Sequence, residues 1–204
     1  MTPALLALPF GVLLGSIPFG LLLTRLAGLG DIRSIGSGNI GATNVLRTGR
    51  KDLALATVLL DVGKGTAAVL LAAPFGPLPA VLAALGAVVG HMFTPWLGLR
   101  GGKGVATAFG VTLGLAWPLG LALGGVWLAM AVLFRMSSLA ALTACAAAPL
   151  LSWLLAAFAG SAPHPERTIL MAAVAALVAI RHHENIRRLL AGTEPRIGRS
   201  GGRG

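Results

Sequence analysis

Three polar segments of this chain carry the side chains that can do chemistry, and each is suited to binding an anion. The first, DIRSIGSGNIGATNVLRTGR at 31–50, sets Ser, Asn and Thr among glycines and ends in Arg47 and Arg50. Hydroxyls, amides and guanidinium groups all donate hydrogen bonds to phosphate oxygens. A GxGxxG pattern occurs at 36–41, but no βαβ unit surrounds it, so dinucleotide binding is rejected. The segment predicts a phosphate site, with a solvated connector as the alternative.

The second segment is the short turn RGGKGVAT at 100–107. Its adjacent glycines let consecutive backbone amides point inward, and Lys103 adds a positive charge where a helix is predicted to begin. The four-residue gap of a Walker A loop is missing, and so is the strand that precedes one. The turn therefore predicts an anion site, with a tight inter-helix turn and a topology-setting lysine as the alternative.

The third segment, RHHENIRRLLAGTEPRIG at 181–198, lies near the end of the chain. On a helix His182, Asn185 and Leu189 share one face, so one imidazole and one amide point together. Glycine and proline after this stretch are helix-stop signals. The alternative interpretation is a basic amphipathic helix at the membrane interface.

Composition indicates that these segments belong to an integral membrane protein. The 204 residues are 56% hydrophobic and 11% charged, and the mean hydropathy is +0.86. A water-soluble domain of this size cannot bury so much apolar surface, so lipid must cover it. The single cysteine, Cys145, excludes a disulfide scaffold. In so apolar a chain, a net charge of +10 indicates topology signals and anion ligands more than nucleic-acid binding.

Apolar runs, of which only the second contains charges, predict the helices that must hold the three segments. These runs are 3–24, 53–73, 80–97, 105–134, 139–158 and 168–180. A break at Trp117–Pro118 divides 105–134 into two halves, which predicts an all-α fold of seven transmembrane helices, some short or partly re-entrant. Nearly all Lys and Arg residues and all three polar segments then share one face, so the N-terminus is predicted periplasmic and the C-terminus cytoplasmic. We predict one transmembrane domain over 1–198 and a flexible C-terminal tail over 199–204.

Two ionisable residues lie inside the second predicted span. Asp61 and Lys64 are three residues apart, so their side chains can pair on one helix face. Intramembrane charges are functional candidates by default. A structural ion pair is favoured over a proton relay because pairing alone makes their burial tolerable. For His91, beside Gly90, both interpretations stay open.

The chain resembles one family, the bacterial membrane acyl-phosphate:glycerol-3-phosphate acyltransferases of the PlsY family. The resemblance runs in order across about residues 10–198 and rests on six motifs. They are GSIPFG (15–20), DIRSIGSGNIGATNVLR (31–47), LLDVGKG (59–65), GHMF (90–93), GGKGVAT (101–107) and HxxNIxRLLxGTEPRIG (182–198).

The resemblance implies an activity, its partners and a location. The enzyme would be a glycerol-3-phosphate 1-O-acyltransferase that uses acyl phosphate, forms lysophosphatidic acid and releases phosphate in phospholipid biosynthesis. It implies a multi-pass protein of the bacterial cytoplasmic (inner) membrane with its active site facing the cytoplasm. The implied partners are acyl phosphate, glycerol-3-phosphate, the lipid bilayer and the soluble enzyme that supplies acyl phosphate, with no nucleic acid, cofactor or metal.

The resemblance also implies site residues. Those implied around substrate are Ser37, Asn39, Thr43, Arg47, Gly101, Gly102, Lys103, Ser138, His182 and Asn185. Those implied as catalytic are Ser37, Lys103, His182 and Asn185. Lys103 with the amides of Gly101 and Gly102 would hold a phosphate, whereas Glu194 is a weaker match.

Acyl transfer from a mixed anhydride depends mostly on positioning and electrostatics. Three groups are candidates for deprotonating the glycerol hydroxyl: His182, Ser37 through a covalent acyl intermediate, and the acceptor's own phosphate. We hypothesise that the glycerol hydroxyl attacks the acyl phosphate directly and that the acceptor's own phosphate takes its proton. The reason is that no Ser-His-carboxylate relay can be identified in the sequence. The HxxxxD pattern of other glycerolipid acyltransferases follows no histidine, which disfavours thioester donors. The alternative function is membrane transport of a phosphorylated small solute.

Overall fold

The computed structural model describes residues 3–160, 162 and 164–198, and every regular element within them is helical. The predicted flexible tail, 199–204, lies outside the described residues. The chain forms two compact units, Met1–Trp117 and Pro118–Gly204, and the prediction of one domain over 1–198 stays a prediction. The described α-helices are, in chain order, α1 Pro3–Gly15, α2 Phe19–Leu26, α3 Ala42–Val45, α4 Lys51–Ala72, α5 Pro77–Met92, α6 Val105–Leu115, α7 Trp117–Phe134, α8 Ser137–Phe158, α9 Pro165–Arg181 and α10 His183–Leu190.

The helices have the length and apolar character of membrane spans. Five segments of the described chain are long and apolar enough to cross a bilayer, and α9 with α10, bent by 69°, makes a sixth if the pair is one span. Helix α6 has 11 residues, fewer than the roughly 20 of a full span. The all-helical prediction is confirmed for the described residues, whereas seven crossings stay a prediction.

Proline interrupts the apolar runs at two places. Helix α6 ends at Leu115, Ala116 is extended, and α7 begins at Trp117, so the predicted break is present. The first run, 3–24, is one candidate span but two helices, which the sequence analysis did not anticipate. Pro18 lacks an amide hydrogen and disfavours helical geometry at Ile17, so α1 ends before it.

Glycines let helix backbones touch within the first unit. A Cβ on Gly15 in α1 would overlap the backbone of Ala87 in α5, and one on Gly110 in α6 would overlap the Val62 carbonyl in α4. Close approach of this kind is how helices pack where lipid supplies no hydrophobic drive. The pairs Gly11/Gly15, Gly86/Gly90 and Gly110/Gly114, which have small-xxx-small spacing, all make close contacts of this kind.

We expect Gly15→Ala to lower the free energy of unfolding by about 2 kcal/mol, because the added methyl forces α1 and α5 apart. Gly63→Ala in α4 is the matched control, since a Cβ there meets nothing within 4 Å and alanine is the better helix former. Thermal unfolding of both variants in one detergent measures the difference. Equal unfolding temperatures would contradict the α1–α5 contact.

In the second unit, helix α8 packs along α9. Arg135, with φ +57°, turns the chain between α7 and α8, and His182 lies at the bend between α9 and α10. The candidate site residues of the second unit lie next to these two turns, with Ser138 in the first turn of α8 and Asn185 in the first turn of α10.

Candidate active site

One buried amide, that of Asn44, organises the polar loop between α2 and α4. Its Nδ2 donates to the carbonyl oxygens of Ile32, Ile35 and Asn39, each at 2.9 Å. Its Oδ1 accepts from the backbone N–H of Ser37 at 3.1 Å and from the Ser37 hydroxyl at 3.3 Å. Asn44 is buried, so these bonds form away from water and hold the loop in one conformation.

The same loop directs donor groups outward. Ser37, Thr43 and Arg47 are exposed, whereas Asn44 beneath them is buried. Gly36, with φ +56°, lies against Arg47: a Cβ there would come 2.5 Å from the guanidinium Nη1. The structure thus places these predicted residues on one ordered loop, with the Thr43 hydroxyl and the Arg47 guanidinium available to an anion.

We expect Asn44→Asp to lower the free energy of unfolding by about 1–3 kcal/mol, because an acceptor would replace the donor that faces three carbonyl oxygens. Asn39→Asp is the charge-matched control on the same loop. The Asn39 Oδ1 only accepts from the Gly41 N–H, at 3.0 Å, and a carboxylate keeps that bond. Thermal unfolding in detergent compares the two variants, and equal destabilisation would contradict the organising role of Asn44.

The second segment, RGGKGVAT at 100–107, is called the Gly-Lys turn from here on. It packs closely against the end of α5 where the chain passes from α5 to α6. The Gly101 N–H donates to the Met92 carbonyl at 3.1 Å, and the Gly102 N–H donates to the His91 carbonyl at 3.0 Å. A Cβ on Gly102 would overlap His91 Nε2, and one on Gly101 would overlap the His91 carbonyl oxygen. This differs from the predicted role of these amides as phosphate donors, because both are directed at α5. Packing explains the two glycines, and their contact with substrate stays a prediction.

Lys103 lies at the amino end of α6, as the sequence predicts. It is half-buried, and Gly104, with φ +79°, turns the chain into the helix without a side-chain cap. The first-turn amides of a helix and its dipole favour an anion at this end. The hydroxyl of Thr107, in the first turn, is buried without a hydrogen-bond partner. Lysine and helix end together form a positively charged site.

The predicted pairing of Asp61 with Lys64 is confirmed. Lys64 Nζ lies 2.7 Å from Asp61 Oδ1, and both side chains are buried. A buried cation next to a carboxylate is tolerable inside a membrane protein, where either charge alone is expensive.

A carboxylate, that of Glu194, organises the second unit's polar residues. Ser138 Oγ and Asn185 Nδ2 each donate to its Oε1 at 2.6 Å, and Arg188 Nε donates to Oε2 at 2.8 Å. The Glu194 side chain is only 6% exposed. Burial raises its pKa, but the three donors and the Arg188 charge outweigh burial and hold the pKa of Glu194 below its usual range. Glu194 is therefore a carboxylate at neutral pH.

His182 is buried at the bend between α9 and α10, outside the helix in which the sequence analysis placed it. Its Nδ1 lies 2.8 Å from the Val178 carbonyl oxygen, which can only accept a hydrogen bond. Nδ1 therefore carries the hydrogen, and Nε2 holds the lone pair of the neutral ring. Farther along the chain, the Ile197 N–H donates to the Arg135 carbonyl at 2.6 Å, which fixes the segment after α10.

The organising residues Asn44 and Glu194 were not among the predicted site residues. Asn44 lies inside the recognised loop motif, but nothing in its spacing separates it from Asn39. Glu194 lies in the GTE sequence of the third segment and was the weaker match. In both cases the signal was a polar residue among glycines, and its burial becomes apparent only in the fold.

Among the described residues, no group of three or more His, Cys, Asp or Glu side chains is placed to hold a metal ion. The side chains described within each unit supply hydroxyl, amide and cationic groups. Such groups suit phosphoryl oxygens.

Comparison with known proteins identifies the family. A family model described as glycerol-3-phosphate acyltransferase matches residues 5–192. A glycerol-3-phosphate acyltransferase of Mesorhizobium japonicum is 60% identical over 197 residues, which cover 97% of each chain. The crystal structure of PlsY, an integral membrane glycerol 3-phosphate acyltransferase, in its glycerol 3-phosphate form is 39% identical, with a TM-score of 0.86 over 96% of each chain. Its lysophosphatidic acid form is 38% identical, with a TM-score of 0.85 over 96% of this chain and 95% of that one. This chain is therefore a multi-pass membrane protein that belongs to the PlsY family of glycerol-3-phosphate acyltransferases.

Proposed function

We propose that this protein is a glycerol-3-phosphate 1-O-acyltransferase that takes its acyl group from acyl phosphate and releases lysophosphatidic acid and phosphate. The observation that carries the proposal is the similarity, over 96% of this chain, to PlsY in forms named for glycerol 3-phosphate and for lysophosphatidic acid. The motif resemblance supports acyl phosphate as the donor. The missing HxxxxD pattern is a second argument against a thioester donor.

The proposed reaction is one displacement at the acyl carbonyl. The 1-hydroxyl oxygen of glycerol-3-phosphate attacks the carbonyl carbon, and the bond from that carbon to the phosphate oxygen breaks. Phosphate leaves with the electron pair, and the hydroxyl proton passes to a phosphate oxygen of the acceptor. Lys103 and the amino end of α6 stabilise the charge of a phosphate group, while Ser37, Thr43 and Arg47 bind the other phosphate.

Asn39 completes the loop site in this proposal, and the second unit supplies further polar groups. Ser138 and Asn185, fixed by Glu194, orient polar substrate groups from that unit. His182, with its lone pair on Nε2, is proposed as a binding residue and as the alternative base. Gly101 and Gly102 serve by allowing the turn to approach α5.

Direct attack on the donor is proposed instead of an acyl-serine intermediate. The Ser37 hydroxyl has the amide oxygen of Asn44 as its neighbour, and an amide oxygen is no general base. In the described part of the chain, no imidazole or carboxylate is hydrogen-bonded to Ser37, so the activation that a nucleophilic serine needs has no visible source. A rapid-quench experiment that traps acyl-Ser37 would overturn this choice.

We further propose seven crossings in the bacterial cytoplasmic membrane, with one domain over 1–198, a periplasmic N-terminus and a cytoplasmic C-terminus. The active site then faces the cytoplasm, where a soluble enzyme supplies acyl phosphate. The placement of Lys and Arg supports this topology. In a Cys145→Ala background, a cysteine at Arg167 should react with an impermeant thiol reagent in intact cells. A cysteine at Ser34 should react only after permeabilisation, and the reverse pattern would overturn the topology.

The activity itself is tested by supplying purified protein with glycerol-3-phosphate and either acyl phosphate or acyl-CoA. We expect lysophosphatidic acid, identified by mass spectrometry, and an equal amount of phosphate with acyl phosphate only. Product formation from acyl-CoA would overturn the donor. Uptake of glycerol-3-phosphate into proteoliposomes without any donor would instead favour transport.

A further inference from the structure

A buried polar cluster in the first unit joins α4, α5 and the linker between α1 and α2, next to the Gly-Lys turn. Lys64 Nζ lies 2.7 Å from Asp61 Oδ1, 2.8 Å from the Ile17 carbonyl oxygen and 2.9 Å from His91 Nδ1. The Ile17 carbonyl is accessible to the lysine because the chain breaks there between α1 and α2. All three side chains are buried.

The chemistry of the cluster determines the tautomer of His91. An ammonium group has three N–H donors and no lone pair, so Lys64 donates to the Ile17 carbonyl and to His91 Nδ1, while its contact with Asp61 Oδ1 is an ion pair. His91 Nδ1 must therefore accept, and the hydrogen of the neutral ring is on Nε2. The distance from Nδ1 to Asp61 Oδ1, 3.6 Å, is too long for a hydrogen bond. The single N–H of His91 thus points away from the cluster.

The other side of the His91 ring meets the Gly-Lys turn. A Cβ on Gly102 would overlap Nε2, so this nitrogen lies directly against the Gly102 backbone. The His91 carbonyl also accepts the Gly102 N–H at 3.0 Å. His91 therefore contacts the residue before Lys103 with both its ring and its main chain.

We propose that His91 is a positioning residue for phosphate binding at Lys103. Asp61 and Lys64 fix the ring, and the Nε2 edge of the ring sets the position of the turn that carries Lys103. The inference rests on the proposed function in one respect, the binding of a phosphate at this turn. If Asp61 and Lys64 formed only a structural ion pair, the Nε2 edge of the His91 ring would not need to contact the Gly-Lys turn.

Two substitutions at His91 test the Nδ1 contact with Lys64 and the Nε2 contact with Gly102 separately. His91→Asn keeps an acceptor near the Nδ1 position for Lys64 but removes the group that touches Gly102. His91→Gln places its amide N–H near the Nε2 position and keeps that contact. Thr57→Val is the matched control in α4, because the buried Thr57 hydroxyl donates only to the Leu53 carbonyl of its own helix.

The first measurement is steady-state kinetics with each phosphate-bearing substrate varied in turn. A displaced Lys103 makes weaker charge-assisted hydrogen bonds to a phosphate, which weakens binding. We expect His91→Asn to raise the KM for one substrate about tenfold, with kcat within about threefold of wild type. His91→Gln and Thr57→Val should stay within about threefold on both constants. Equal effects of the Asn and Gln substitutions, or an unchanged KM in His91→Asn, would overturn the proposal.

Gly102→Ala tests the same contact by a change in the turn. It is the test of the positioning role if His91→Asn does not fold. Its methyl group must displace the imidazole edge, so a KM increase of about tenfold for a single substrate is expected. An unchanged KM would overturn the proposal.

A second measurement does not depend on acyl transfer. Inorganic phosphate should protect Lys103 from an amine-modifying reagent, as read by peptide mass spectrometry, with the exposed Lys51 as internal reference. Protection in wild type and His91→Gln, but not in His91→Asn, supports the proposal. Equal reactivity of Lys103 in all three proteins, with or without phosphate, overturns it. If wild type is protected but transfers no acyl group, the proposed function fails and the positioning role stands.

Discussion

Replacing Lys103 with alanine should lower kcat/KM about 10²–10³-fold while the protein remains folded in detergent. The ammonium group lies at the amino end of α6, where no side chain caps the helix, so its loss leaves phosphate charge with the helix amides alone. Removing one preorganised electrostatic group from an acyl-transfer site typically has an effect of this size. The measurement is phosphate release that depends on both acyl phosphate and glycerol-3-phosphate.

Two companion variants make this result interpretable. Lys51→Ala removes a positive charge from the exposed start of α4, and it should leave the rate within about twofold of wild type. Lys103→Arg keeps the charge on a differently shaped group, so intermediate activity is expected. Activity of Lys103→Ala close to that of wild type would remove Lys103 from the site.

The positions of the helices could be predicted because lipid allows few backbone conformations other than a helix. An apolar run in lipid must satisfy its backbone hydrogen bonds internally, so the run 139–158 became α8, Ser137–Phe158, and the run 53–73 became α4, Lys51–Ala72. The break before Trp117 was predictable from a proline and from charge placement. The break at Pro18 was not, because charge alone delimited the run 3–24.

The organising contacts of the site could not be predicted, because they join residues far apart in sequence. Ser138 and Glu194 are 56 positions apart, and Lys64 and His91 are 27 apart. Composition identifies each of these residues as polar in an apolar chain, but no periodicity indicates which of them meet. Helical periodicity also did not indicate that the chain bends by 69° at His182, between α9 and α10.

The glycines of the Gly-Lys turn show how one pattern admits two physical explanations. From sequence, Gly101 and Gly102 suggested backbone freedom for an anion-binding turn. In the fold they permit contact with His91, and their amides donate to the carbonyl oxygens at the end of α5. Both explanations require glycine, so the sequence could not separate them. Anion binding at this turn therefore depends on Lys103 and the amino end of α6, and not on the amides of Gly101 and Gly102.

Glu194→Gln should lower the free energy of unfolding by about 3–5 kcal/mol and reduce turnover strongly, because it removes the charged partner from a mostly buried cluster. The new amide would present a donor to Arg188 or to Ser138 and Asn185, all of which already donate to this position. Glu184→Gln is the matched control, since Glu184 is an exposed carboxylate in the first turn of α10. That variant should change stability by less than about 0.5 kcal/mol.

The stabilisation that Glu194 provides should decrease as the pH falls. The pKa of Glu194 is lower in the folded protein than its ordinary value, so folding favours the charged form. Its contribution is complete above the ordinary glutamate pKa and is lost as the pH falls through the lower, folded pKa. The difference in unfolding free energy between wild type and Glu194→Gln should therefore be constant from about pH 7 to about pH 5 and shrink at lower pH. Chemical unfolding in detergent across this range measures it. A difference that grows as the pH falls would mean that the three donors do not stabilise a carboxylate, and Ser138 and Asn185 would then lack the common acceptor that orients them.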